Sequence, residues 1–178
     1  VRTAIDNKSV TPHTFDNSPH VEVIDGVTFT ILPLPPKATC PGHENLNSIV
    51  VRIDYGEFSM LFTGDAEEDE LEWLLDNHSG LLDVDVLKAS HHGSTNGVTD
   101  EFLSTVSPER VVISAGVNGR YKHPMPEAVE DYLSATNDRV YCTNRHGTVR
   151  VYGFDYGNAR IYKQNTIDKS CVYDGTHY

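Results

Sequence analysis

Basic residues are scarce in this sequence: 14 Lys and Arg stand against 26 Asp and Glu, for a formal net charge of -12. A surface this acidic repels phosphate backbones, which argues against broad nucleic-acid affinity and leaves room only for a local basic patch. Long apolar runs are absent as well, and no stretch approaches the roughly 20 residues of a membrane-spanning helix. The N-terminus carries no apolar segment of signal-peptide type. It opens with Val1 and not with Met, which fits a processed product or a fragment. Cysteine is limited to Cys40, Cys142 and Cys171, an odd number without CxxC spacing. That pattern excludes a zinc knuckle and a disulfide framework. One bridge between two of the three stays open, free buried thiols are the favoured expectation, and the redox compartment is left undecided.

What is present suits one globular domain. A chain of 178 residues, 38% apolar and 22% charged, is long enough to bury a core. Residues 1–19 are polar and patternless and read as an arm. Alternation from His20 to Leu34 around Asp25-Gly26 predicts a hairpin, and the prolines at 33, 35 and 36 stop its second strand. A further strand pair is predicted over Ser48 to Asp54 and Phe58 to Phe62. Glu67, Glu68, Asp69 and Glu70 then fill a first helical turn, where carboxylates suit the helix dipole. Leu71, Leu74 and Leu75 follow at helical spacing. Short apolar strands are expected at Asp83 to Ala89 and Val111 to Ala115. Helices are expected after Thr99, as a cap, and at Pro126. Three strands close the pattern, at Arg139 to Thr143, Thr148 to Phe154 and Ala159 to Lys163. Residues 164–178 read as an irregular tail. With no repeat or linker, residues 1–178 form a single domain of the α/β class.

The chemistry gathers where strands end. Three apolar strands run into polar, glycine-bearing loops, each followed by a helix signal, and these loops hold Asp65, the pair His91-His92, and His123. Strand ends of this kind are where sites assemble in layered α/β folds, and carboxylate with imidazole suits zinc or manganese. No local metal motif has these spacings, so the reading depends on the fold. Each residue also has a plainer explanation. Gly64-Asp65 is compatible with a turn and helix cap, and His91-His92 with a loop capped by Ser94. Lys88 and Asp85 read as structural or solvated.

Taken in order, these blocks resemble a known family. Asn47-Ser48, Phe62-Thr63-Gly64-Asp65, Asp85-Val86-Leu87-Lys88-Ala89-Ser90-His91-His92-Gly93-Ser94, Val112-Ile113-Ser114 and Tyr121-Lys122-His123-Pro124 resemble the ComEC-type branch of the metallo-β-lactamase superfamily over about residues 47–152. The His-His-Gly-Ser block with its leading Asp-x-Leu-Lys is the specific part; the Gly-Asp alone is weak.

The resemblance implies a four-layer αββα sandwich with a one- or two-metal site at one edge. It implies zinc, or manganese, held by Asp65 as a bridging carboxylate and by His92. His91 and His123 become catalytic groups facing substrate, and Ser94 with the Gly93 backbone supplies anion-binding N–H groups. The family association points to phosphodiester or nucleic-acid-like substrates, attacked by metal-activated water, and to an extracellular or cell-surface location.

The departure from the family lies in the first half of the domain. A His-x-His-x-Asp-His motif and an Asp-Val-Gly-x-Gly-Asp strand are both missing from the chain. The chain therefore reads as the C-terminal half of such a domain, whose partner is the missing N-terminal half or another copy of the chain. Lys122 also stands where the family has Gly. Two alternatives follow: a lactonase- or β-lactamase-type hydrolase, and a non-catalytic fragment with an incomplete metal site.

Overall fold

A computed structural model describes residue 8, residues 18–36, 47–116 and 121–165, and residue 171. Period-two alternation forms the strands it predicts. β1 (His20–Ile24) and β2 (Val27–Ile31) make an antiparallel hairpin. Its turn places Asp25 at φ 50° and Gly26 at φ 82°, the pair of positive angles that matches the twist of the strands. β3 (Val51–Tyr55) and β4 (Phe58–Phe62) continue the meander. From β4 onward the chain changes style, and each strand returns parallel to the last through a helix, as parallel pairing requires. α1 (Glu68–His78) leads to β5 (Val86–Lys88), α2 (Asp100–Val106) to β6 (Arg110–Ile113), and α3 (Pro126–Thr136) to β7 (Val140–Cys142). The result is a seven-stranded mixed sheet in the order β1-β2-β3-β4-β5-β6-β7. The helix signals hold: Thr99 Oγ1 accepts from the Phe102 amide at 3.1 Å, and Pro126 opens α3.

Alternate residues divide the sheet into two faces. Leu61, Leu87, Val111 and Ile113 face the helices and pack with Leu71 and Leu74 of α1, Phe102 and Val106 of α2, and Val129 and Tyr132 of α3. The opposite face carries Phe58, Met60, Val86 and Val112. A two-stranded sheet, β8 (Val149–Phe154) with β9 (Asn158–Lys163), covers it through Val149, Val151 and Ala159. The α/β class therefore stands, as helices, a large mixed sheet and a small antiparallel sheet. On the β1–β3 side of that second face, Val27, Phe29, Ile31, Val51 and Ile53 are only partly buried.

Gly153 sets how closely β8 approaches the large sheet, because a Cβ there would overlap the Phe58 ring. Gly153→Ala is expected to cost about 1–3 kcal/mol of stability by overpacking. Gly80→Ala, with open space around it, should change stability by less than about 0.5 kcal/mol. Denaturant midpoints of the two variants check this; equal midpoints would mean that β8 is not seated on Phe58.

Three expectations are corrected. Cys142 and Cys171 are not free thiols but a disulfide, with Cα atoms 5.7 Å apart. Cys40 lies outside the described residues. The carboxylates at 67–70 do not all fill the first turn: Glu67 is the residue before α1, and Glu70, inside that turn, is fully buried. A short helix, α4 (Thr143–His146), follows β7 where the sequence showed only a strand end. Of the tail, residues 164 and 165 are tied down through Gln164 N to Thr148 O and Asn165 N to His146 O, both 2.9 Å. Most of the arm over 1–19 lies outside the described residues.

Candidate functional site

Parallel strands deliver their C-terminal ends to one edge of the sheet, and the residues following β4, β5 and β6 meet there. Asp65, His91, His92, Ala115, Gly116, Tyr121 and His123 line one open cleft of about 480 Å³. Four of the five candidates from the sequence are thus brought together. The fifth, Ser94, is buried and does not line the cleft; its amide donates to His91 O at 3.0 Å.

The turn after β4 is tightly held. Gly64 has φ 57°, a left-handed value that glycine takes without steric cost. Its carbonyl accepts from Lys88 Nζ at 2.8 Å and from the His91 amide at 3.2 Å. The Asp65 amide donates to Ser48 Oγ at 3.1 Å. Burial draws the Lys88 ammonium below the usual lysine range, opposed by the Asp65 carboxylate. Asp85, read as structural, accepts from the Ser59 amide at 2.6 Å and from its hydroxyl at 3.0 Å.

The histidine pair is held in an unusual backbone. His91 (φ 42°) and His92 (φ 57°) both take left-handed angles, each at a cost of about 1 kcal/mol or more for a residue with a Cβ. Strain of this kind gathers at functional sites. His92 Nδ1 lies 2.6 Å from Ser114 O. A carbonyl only accepts, so Nδ1 turns its proton to Ser114 O and Nε2 is the ring nitrogen left to face the cleft. That Nε2 lies 3.4 Å from Asp65 Oδ1. Two electron-rich atoms facing each other call for a cation or a proton between them. Two ligands of a tetrahedral zinc lie about 3.3 Å apart for bonds of about 2.0–2.1 Å, so the pair fits a metal. His91 Nδ1 is 3.2 Å from Asn96 Oδ1 and 3.4 Å from Glu67 Oε1, which leaves its Nε2 for other work.

His123 sits 5.4 Å from His91, ring centre to ring centre, and 6.2 Å from a parallel Tyr121. Its Nδ1 is buried with no hydrogen-bond partner among the described residues. Burial, then the neighbouring His91 and His92, push its pKa below the ordinary value, against the pull of Asp65. At neutral pH it is an uncharged imidazole, suited to accept a proton or a metal. Lys122, before it, has φ 56°. This is a left-handed position, which explains why glycine serves there in the pattern the loop resembles.

Among the described residues, the one trio of His, Cys or carboxylate ligand atoms within 4.8 Å of one another is Cys142, His146 and Cys171. Its sulfurs are bonded to each other. The Asp65–His92 pair would therefore supply two ligands to an ion, whose coordination would need completion from elsewhere. Glu67, Asn96, Tyr121 and the Ser114 carbonyl were not singled out from the sequence. Asn96 and Glu67 had only their nearness to the motifs to recommend them, and a backbone carbonyl leaves no residue-type signal.

No family model matches the chain. It does align with three long bacterial proteins at 34% identity. Competence protein ComA of Neisseria gonorrhoeae matches over 144 residues, 78% of the chain. Recombination protein 2 of Haemophilus influenzae matches over 132 residues, 72% of the chain. ComE operon protein 3 of Bacillus subtilis matches over 117 residues, 66% of the chain. The chain is a homologue of the ComEC-type competence proteins. It spans only 15% to 20% of the length of these relatives. Among the described residues, no helix is long and apolar enough to cross a membrane.

Glu70 supports this edge from beneath. Its Oε2 accepts from the Ser48 amide at 3.1 Å, and burial raises its pKa from 4.5 to about 8, the Ser48 bond opposing. A carboxyl that keeps its proton longer when folded favours folding most below its unfolded pKa. That advantage drains as pH rises from about 4.5 towards 8. Glu70→Gln copies the protonated form. It should flatten this dependence and leave the variant about 1–3 kcal/mol more stable than the parent at pH 8, with little difference at pH 4.5. Denaturant titrations across that range measure it; parallel curves would show that Glu70 does not carry the raised pKa.

Proposed function

We propose that the chain is the C-terminal part of a metallo-β-lactamase-type hydrolase domain that cleaves phosphodiesters in a ComEC-type competence protein. The observation that carries this reading is the His92 ring. Its Nδ1 is engaged by Ser114 O, and its other nitrogen, Nε2, faces Asp65 at 3.4 Å. Asp65 and His92 are the residues that would hold zinc or manganese.

A metal held there would supply an acidified bound water, with a pKa of about 7, and would polarise the bond to be broken. The rest falls to side chains of the cleft. His91, steadied through Nδ1 by Asn96 and Glu67, turns its other nitrogen toward substrate. His123, kept neutral by burial, accepts a proton at neutral pH and returns it to the leaving oxygen. Lys88 steadies the Asp65 turn through Gly64 O.

The competence and recombination names of two relatives and the local cluster of imidazoles favour a nucleic-acid-type phosphodiester despite the acidic surface. The Cys142–Cys171 disulfide supports an oxidising, cell-surface setting. The partly buried apolar face over β1–β3 supports docking of the missing N-terminal half of the domain.

The test is turnover of bis(p-nitrophenyl) phosphate against a chromogenic β-lactam, with zinc and with manganese, on a protein that includes the upstream half. Faster metal-dependent turnover of the phosphodiester is the expected result. Preference for the β-lactam would move the assignment to a lactonase- or β-lactamase-type hydrolase. No turnover of either would favour a non-catalytic fragment.

A further inference from the structure

Glu70 makes no contact with the cleft, yet it is the only acidic side chain among the described residues that is fully buried. Its carboxyl accepts the Ser48 amide through Oε2 at 3.1 Å, while Oε1 finds no hydrogen-bond partner among the described residues. Burying a carboxyl with one oxygen unsatisfied is costly, and nothing in the helix α1 requires it. An apolar residue would fill the same place between α1 and the sheet.

What the carboxyl secures is the strand approach on the other side. Ser48 turns its hydroxyl to the Asp65 amide at 3.1 Å. The fit is close, since a Cβ on Gly64 would lie 3.1 Å from Ser48 Cβ. Glu70, Ser48 and Asp65 thus form a continuous strut from the buried side of α1 to the cleft. It runs across the turn that Lys88 and the His91 amide grip from Gly64 O. Two grips on the Gly64 carbonyl and the strut on the Asp65 amide hold the same peptide unit, the one before Asp65, from both of its polar ends.

We propose that Glu70 is a positioning residue for the cleft, acting through Ser48 to hold the Asp65 backbone so that its carboxylate faces His92. The proposal rests on the reading of Asp65 as a metal ligand, and the strut itself can be measured without any metal.

The experiment uses this chain and the variants Ser48→Ala, Glu70→Leu and Glu70→Gln. Amide hydrogen exchange is followed by NMR in metal-free protein, and Mn²⁺ affinity is read from line broadening at His92. Ser48→Ala and Glu70→Leu are expected to speed exchange of the Asp65 amide by about tenfold. The amides of the β1–β2 hairpin should be unaffected. Both variants are expected to weaken Mn²⁺ binding by about tenfold, as loss of a group supporting a ligand does. Glu70→Gln keeps an acceptor for the Ser48 amide and should restore both values to near those of the parent, which a merely space-filling role would not require. If Glu70→Leu does not fold, Ser48→Ala breaks the same strut at its exposed end.

Unchanged Asp65 exchange in Ser48→Ala, or a Glu70→Gln variant as impaired as Glu70→Leu, overturns the proposal. Metal binding that persists in the parent under that outcome would leave the hydrolase reading standing. Faster Asp65 exchange with no Mn²⁺ binding even in the parent would support the strut and show that Asp65 and His92 hold no ion in this chain by itself.

Discussion

Asp65→Ala and His92→Ala are each expected to reduce metal-dependent phosphodiester hydrolysis by about a hundred- to a thousandfold or more. The size follows from how little redundancy the cleft has. These two side chains stand at ligand spacing in the cleft, with Nε2 and Oδ1 3.4 Å apart. Each is aimed by its surroundings, His92 by Ser114 O and Asp65 by the gripped turn at Gly64. Losing either leaves the other without a shared ion, so the double variant should be hardly worse than either single one. His91→Ala and His123→Ala should lower turnover without abolishing metal binding. His78→Ala removes an imidazole on α1 that does not line the cleft, and Glu72→Ala removes an exposed carboxylate of the same helix; both should leave turnover within about twofold of the parent. Retention of full activity in either Asp65→Ala or His92→Ala would remove the site from the reaction.

Reducing the Cys142–Cys171 disulfide is expected to cost about 3–4 kcal/mol of stability. The bridge spans 29 residues, and closing a loop of that size removes about that much chain entropy from the unfolded state. For a chain of this length the loss corresponds to roughly 10 °C in melting temperature. The expected cost is near the full entropic value because both cysteines are buried. Cys142 ends β7, and its amide donates to His146 Nδ1 at 3.0 Å. The next residue, Thr143, clasps Ala115 on both sides, accepting from its N–H at 2.9 Å and donating to its carbonyl at 2.7 Å. Ala115 lines the cleft beside the Ser114 carbonyl that holds His92. Loosening β7 should therefore be felt at the site as well as in the melt. Thermal melts with and without reductant, together with Cys171→Ser, measure the effect. Three titratable thiols in unreduced, unfolded protein would show that no bridge exists.

The sequence carried the strand and helix pattern well, because both periods were clean. The hairpin at Asp25-Gly26, the Thr99 cap and the Pro126 start all follow from local chemistry, and the structure shows each of them. The clustering of Asp65, His91, His92 and His123 was legible only through topology. Residues so far apart in the chain meet because three successive parallel strands end at one edge. What escaped was whatever depends on a third dimension without a residue-type signature. Glu70 looked like its neighbours in an acidic turn until the helix face was fixed, and only then does it point inward. Cys142 and Cys171 could not be paired by spacing, since β7 and the chain at 171 meet through packing. Ser94 looked like an anion-binding residue from its motif. The left-handed backbone at His91 and His92 instead commits its amide to His91 O.

Hydrolysis at this cleft requires Asp65 and His92 to share a cation with His91 and His123 close by. Mn²⁺ titration followed by imidazole NMR tests this directly, because paramagnetic broadening reports distance even for a weakly held ion. Resonances of His92, His91 and His123 should broaden together at sub-stoichiometric Mn²⁺, His20 and His78 should stay sharp, and Asp65→Ala should abolish the effect. Uniform broadening of all five rings, or none at the cleft, would contradict it.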